Sequence, residues 1–206
     1  MKGFFYSLVF ALVCTGCVRQ PSLPKDSQHN VTSMLNDSVW YGTGQVLRLK
    51  ERTERIEDVR QFNLLVYTDI DYPGMGVGPN PNTSNGCLDP ECTKTQALMI
   101  FNIPLKKGRF KISNLNKRRK LNNEYANLSY IGNSGGLVKR YIDQGLKPSW
   151  VSVTKVDKAA GIVEGRFAIS FNEDMSVYGR LRNGMPETAR FTSGLFRIKI
   201  TDVIIR

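Results

Sequence analysis

Acyl transfer or hydrolysis through an activated serine or cysteine needs a base beside the nucleophile, and histidine is the usual one. The chain has one histidine, His29, which lies in a Ser- and Pro-containing stretch outside any patterned segment. Composition closes that route. Two carboxylates at a fixed separation can cleave a glycosidic bond, and Asp157, Glu164, Glu173 and Asp174 are the acids nearest the best-defined strand pattern. Each sits where a turn or a solvent-facing strand position accounts for it. Asp69, Asp71, Asp89 and Glu91 offer hard oxygens in loops, yet their spacing follows no calcium-loop pattern. These residues imply no enzyme, no cofactor and no metal.

The cations carry more information. Lys and Arg number 29 against 18 Asp and Glu, a net charge of +11. Lys106-Lys107-Gly108-Arg109 and Lys117-Arg118-Arg119-Lys120 form two clusters, the second followed by Tyr125 and Tyr130. Arginine presents paired donors that match phosphate and carboxylate. Lys117, Arg118, Arg119 and Lys120 are therefore the first candidates for gripping an anion, with a solvated hairpin tip as the plain alternative. The loop from Tyr72 to Cys92 is rich in Gly, Pro and Asn, and long irregular loops on a β scaffold often bind ligands. Tyr72, Met75 and Leu88 would be its apolar contacts.

From Ser38 onward, short apolar runs are cut by Gly, Asn, Pro and Asp, which predicts strands. The expected strands are 39–41, 45–50, 61–68, 95–103, 109–113, 125–131, 150–156, 162–171, 176–181 and 194–205. Val163, Phe167, Ile169 and Phe171 fall on one side of a strand whose other side carries Glu164 and Arg166. Gly165 between them marks close packing or a bulge. The final strand, with Phe196, Ile198 and Ile200 alternating with Arg197 and Lys199, should pair with the 162–171 strand or close a barrel. Lys50 to Arg60 reads as a short helix or a charged hairpin end, and Val138 to Gln144 as a short helix. The fold class is all-β, an antiparallel β-sandwich or calycin-like β-barrel, in one domain over residues 38–206.

Ahead of it, Lys2 is followed by an apolar run from Phe4 to Val13 and then by small residues ending at Cys17. This is the layout of a secretory signal, too short for the roughly 20 apolar residues of a membrane span. Thr15-Gly16-Cys17 has the form of a bacterial lipobox, although Cys14 stands where leucine is usual. Residues 1–16 are expected to be removed and Cys17 to be lipidated. Acyl chains at about 0.8 kcal/mol per buried CH₂ then anchor the chain durably. Residues 17–37, with Pro21, Pro24 and several serines, read as a flexible tether. Of the 4 cysteines, Cys87 and Cys92 remain. In an oxidising compartment they imply a disulfide worth about 2 kcal/mol, whereas zinc would need two further ligands. Export also argues against nucleic acid as the partner of the positive charge, and favours acidic glycans, lipopolysaccharide phosphates or anionic lipid.

Phe101-Asn102-Ile103, Lys107-Gly108-Arg109-Phe110-Lys111-Ile112, Trp150-Val151-Ser152-Val153-Thr154, Val163-Glu164-Gly165-Arg166-Phe167 and Phe191-Thr192-Ser193-Gly194-Leu195-Phe196 together resemble a group of uncharacterised Bacteroidota lipoproteins. The resemblance implies a small β-sandwich or calycin-like barrel with no activity to transfer, on the periplasmic face of the outer membrane. It also makes Asp37-Ser38-Val39 similar to a short O-glycosylation sequon. The function expected is a non-catalytic binding module for an envelope glycan, lipopolysaccharide or small ligand. The alternative is a structural accessory subunit of an envelope protein complex.

Overall fold

The computed structural model describes residues 21–75, 84–115, 125–143, 148–176 and 184–205. Its strands are β1 (Val31–Leu35), β2 (Ser38–Glu51), β3 (Gln61–Thr68), β4 (Gln96–Pro104), β5 (Gly108–Lys111), β6 (Ala126–Ile131), β7 (Leu137–Asp143), β8 (Trp150–Asp157), β9 (Ile162–Glu173) and β10 (Thr188–Ile205). Short 3₁₀ turns lie at Ile56–Asp58 and Ile112–Asn114.

The pairings run β2–β3–β4–β6–β7–β9–β10 and return from β10 to β2, so the sheet closes into a ring. β1 lies between β10 and the first part of β2, and β8 pairs with β9 while carrying β5 on its far edge. The all-β expectation holds, and β10 pairs with β9 as its alternation implied. The sheet is mixed, not purely antiparallel, because β1 runs antiparallel to both β2 and β10. Those two strands are thereby parallel to each other, and below β1 they pair directly, Ile200 to Ile205 against Val46 to Glu51.

Alternation decides which side chains fill the ring. In β9, Val163, Gly165, Phe167, Ile169 and Phe171 are buried, while Glu164, Arg166, Ala168 and Ser170 face outward. Trp40, Phe62, Tyr130, Tyr141, Phe167, Phe171, Phe191 and Phe196 are the largest fully buried side chains, each worth roughly 1.5–3 kcal/mol of burial at aliphatic or Phe scale. Gly165 marks close packing, as its place in the apolar row suggested. A Cβ there would stand 2.3 Å from both the Ser152 carbonyl oxygen and the Phe196 ring.

Two expectations are corrected. Residues 17–37 are not all tether: Leu23 is buried, and Val31 to Leu35 form β1 inside the ring. Asn36 and Asp37, at φ 46° and 64°, make the two-residue turn into β2, a pairing that Asn and Asp tolerate well. Val138 to Gln144 is not helical over its described part, which lies in β7. Val138 and Lys139 are both buried, as are Tyr141, Ile142 and Asp143, and a strand buried on both faces loses the period that identifies it. Lys50 to Arg60 is the hairpin end between β2 and β3, with one 3₁₀ turn. Most of the strand expected at 176–181 lies outside the described residues.

Candidate functional site

Cys17 and the cluster Lys117, Arg118, Arg119 and Lys120 lie outside the described residues. The cluster's described neighbours, Leu115 and Tyr125, are buried, and the Tyr125 carbonyl accepts the Phe101 N–H at 3.0 Å. Tyr72 is not an exposed loop contact. It is 5% exposed, stacks on Tyr130 at 4.4 Å, and donates its hydroxyl to the Ile131 carbonyl at 3.3 Å. Tyr125 precedes β6 and Ile131 ends it, so the two described residues nearest these elements stand at opposite ends of that strand.

The Cys87–Cys92 disulfide is formed, with 5.3 Å between Cα atoms. Its loop is held from beneath by Asp69, whose carboxylate accepts the N–H groups of Asn85 at 3.2 Å, Gly86 at 2.7 Å and Cys87 at 3.3 Å. That commitment explains why a buried aspartate is tolerated, and it makes Asp69 a structural acceptor. Among the described residues, no group of three His, Cys, Asp or Glu side chains is placed to hold a metal. His29 stacks on Tyr41 at 4.3 Å, and burial lowers its pKa. Asn30 exchanges two hydrogen bonds with Gly44. The expected tether is therefore fastened to β2 over this stretch.

Nearby, the interior holds Tyr130, whose buried hydroxyl lies beside that of Tyr141. Burial pushes its pKa up to about 12. The Tyr141 hydroxyl donates to the Pro186 carbonyl at 2.7 Å, and its pKa is raised first by burial and then by Tyr130. Both phenols stay protonated at neutral pH, which suits packing and not proton transfer.

A different arrangement occupies the outer face of β5, β8 and β9. Arg109 is the register partner of Ser152, and Ser152 is the partner of Arg166. Direct partners share a face, so the three stand in one row across neighbouring strands, spaced by about 4.8 Å per strand. The adjacent row is Lys111, Trp150 and Ala168. The Arg109 guanidinium lies over the Trp150 ring, 4.1 Å from its centroid. The Arg166 Nε is buried without an acceptor. Arg109, Lys111 and Arg166 take part in none of the ion pairs among the described residues. The one acid on the neighbouring row, Glu164, is taken by Arg197 at 2.8 Å and approached by Lys155 at 3.9 Å.

This row can bind an anion. Stacking on an indole holds a guanidinium in place and leaves its in-plane N–H donors open. Arg166 as a residue is half-buried and takes part in no ion pair among the described residues, so its guanidinium is uncommitted to any carboxylate. The alternation placed Arg166 outward, and Arg109 belongs to the first basic cluster. Their place in one row depends on the β5–β8–β9 register, which no local pattern in the sequence encodes. Compared with protein-family models, with curated proteins and with solved structures, the chain matches none.

Proposed function

We propose that this chain is a lipid-anchored, non-catalytic binding module of the bacterial envelope, held through Cys17 on the periplasmic face of the outer membrane. It takes an anionic envelope component, an acidic glycan or lipopolysaccharide, on the outer face of β5, β8 and β9. The observation that supports this reading is the set of unpaired cations, Arg109, Arg166 and Lys111, gathered around Trp150 while the neighbouring Glu164 is already neutralised. Because Leu23 is buried in the domain, the chain from Cys17 to the body spans roughly 20 Å at most. The module then works close to the membrane surface.

The test is retention of the anchored protein on lipopolysaccharide or an acidic polysaccharide across a salt series. Replacing Arg109 and Arg166 by Ala should weaken retention and flatten its salt dependence; retention equal to that of the parent chain would remove the reading.

One observation favours the accessory-subunit alternative. Beyond Ile200, β10 pairs with β2 alone among the described strands, and Ile204 is 59% exposed. An open strand edge with an apolar residue can dock a partner. In-cell cross-linking with Cys17→Ala as control would show one protein partner at fixed stoichiometry if that reading is right.

A further inference from the structure

We infer that the row Arg109–Ser152–Arg166 is a cradle for a phosphate monoester, so that the anion bound is a phosphorylated sugar or lipid and not a uronic acid. This rests on the anion-binding reading above and narrows it. Ser152 sits midway, with one arginine on the strand at each side, and the outer Cα atoms are therefore about 10 Å apart. That separation is within the reach of two arginine side chains gripping one anion above Ser152.

The chemistry of the donors selects the ligand. A phosphate monoester carries three terminal oxygens arranged tetrahedrally, so it can accept from both guanidinium groups and from the Ser152 hydroxyl at once. A carboxylate has only two oxygens in one plane, so it cannot meet two guanidinium groups and a hydroxyl set around it in three dimensions as well as a tetrahedral phosphate can. Arg109 is pre-oriented by its place over Trp150, 4.1 Å from the ring centroid, and half-buried Arg166 takes part in no ion pair among the described residues. An indole face already covered by a guanidinium is also not a platform for stacking a neutral sugar. Nearby Glu164 does not oppose the anion, because Arg197 holds it at 2.8 Å. Lys111, on the next row beside Trp150, adds charge without fixing geometry.

Trp150 supplies the readout. The chain has two tryptophans, and Trp40 is buried with its indole N–H donated to Gln96 at 3.1 Å. Binding at the cradle should therefore change the Trp150 emission alone. The experiment uses the full anchored chain in neutral phosphatidylcholine nanodiscs, titrated at constant ionic strength with inorganic phosphate, acetate and glucuronate. Saturable quenching by phosphate, with acetate and glucuronate about tenfold weaker, is expected. Arg166→Lys keeps the charge and loses the fork, and should weaken phosphate about tenfold; Ser152→Ala should weaken it a few-fold.

Two further arms identify the source. Displacement by a soluble sugar 1-phosphate but not by phosphatidate-containing vesicles would support the cradle with a glycan ligand. The reverse would support it with a lipid ligand. Glucuronate as tight as phosphate, with Arg166→Lys unchanged, would overturn the cradle and leave the broader anion-binding reading standing. Failure of every anion to move the emission, together with salt-insensitive retention on polysaccharide, would overturn both.

Discussion

Two polar regions of this barrel treat charge in opposite ways. Beneath the 84–95 segment and along β7, charges are committed: Asp69 caps three backbone N–H groups, and Lys139, 9% exposed, pairs with Glu173 at 2.9 Å. On the β5–β8–β9 face, half-buried Arg166 leaves a nitrogen without an acceptor, and Arg109 rests on an indole instead of a carboxylate. A fold that could satisfy its cations did so at one place and not at the other. Under the proposed binding reading, the first region is organised for stability and the second for an anion that comes from outside. That contrast can be broken by measuring stability at both places.

The largest effect is expected at Asp69. Asp69→Ala strips the acceptor from three N–H groups in the disulfide loop and should cost about 3 kcal/mol in urea unfolding, since orphaned buried donors cost 1–3 kcal/mol each and partial rehydration recovers some of that. A loss below 1 kcal/mol would mean the loop is held by its disulfide and not by the carboxylate.

Next in size is an alkaline loss of stability from the tyrosine interior. Tyr130 has its pKa raised from 10.0 to about 12 by burial, so its neutral form is favoured in the folded state. The stabilisation is complete below pH 10, where the unfolded phenol is also protonated. It falls as pH climbs from 10 through about 12, by roughly 2–3 kcal/mol in total for a shift of this size. Tyr130→Phe should make that fall shallower, with Tyr141 supplying what remains. Denaturant midpoints measured from pH 8 to 12 would show it, and identical slopes for both proteins would contradict it.

How much of this was readable beforehand varies by region for physical reasons. β9 and β10 were legible because Phe167, Ile169, Phe171, Phe196 and Ile198 alternate with polar residues over long strands. β1 was not, because its five residues include Thr32 and Ser33; the Ser33 hydroxyl is satisfied by the Thr192 carbonyl at 2.8 Å, a partner far along the chain. The Asn36-Asp37 pair was the available signal, and it belongs to a hairpin turn. β7 hid because it is buried on both faces. For the site, outward placement of Arg166 followed from alternation, while Arg109, Ser152 and Arg166 meet only through strand register. Local periodicity reports which face a residue takes and cannot report its neighbour across the sheet.

A third, smaller effect probes the fastening of residues 21–30. Gly86 has φ +72°, and a Cβ there would stand 2.7 Å from the Tyr41 ring and 2.9 Å from the His29 Nδ1. Gly86→Ala combines left-handed strain with that crowding and should cost about 2 kcal/mol. Thermal melting with and without reductant would separate this from the disulfide, whose own removal should cost a similar amount in the chain-entropy model, about 2 kcal/mol.

The smallest shift in stability should have the opposite sign. Arg166 sits outward on β9 with Leu195 as its register partner on β10, and its Nε is buried and unsatisfied. Arg166→Leu removes that unsatisfied donor and gives Leu195 an apolar neighbour, so the variant should be about 0.5 kcal/mol more stable than the parent. The same logic applied to the other region predicts the reverse. Lys139→Leu strands Glu173 without its 2.9 Å partner, and a charge left partly buried and unpaired is destabilising. A gain at Arg166 beside a loss at Lys139, both read from urea midpoints, would show that the unpaired arginine is kept at the expense of stability. A loss of 1 kcal/mol or more at Arg166 would instead make it a structural residue, and would remove the distinction between the two regions on which the proposed binding face depends.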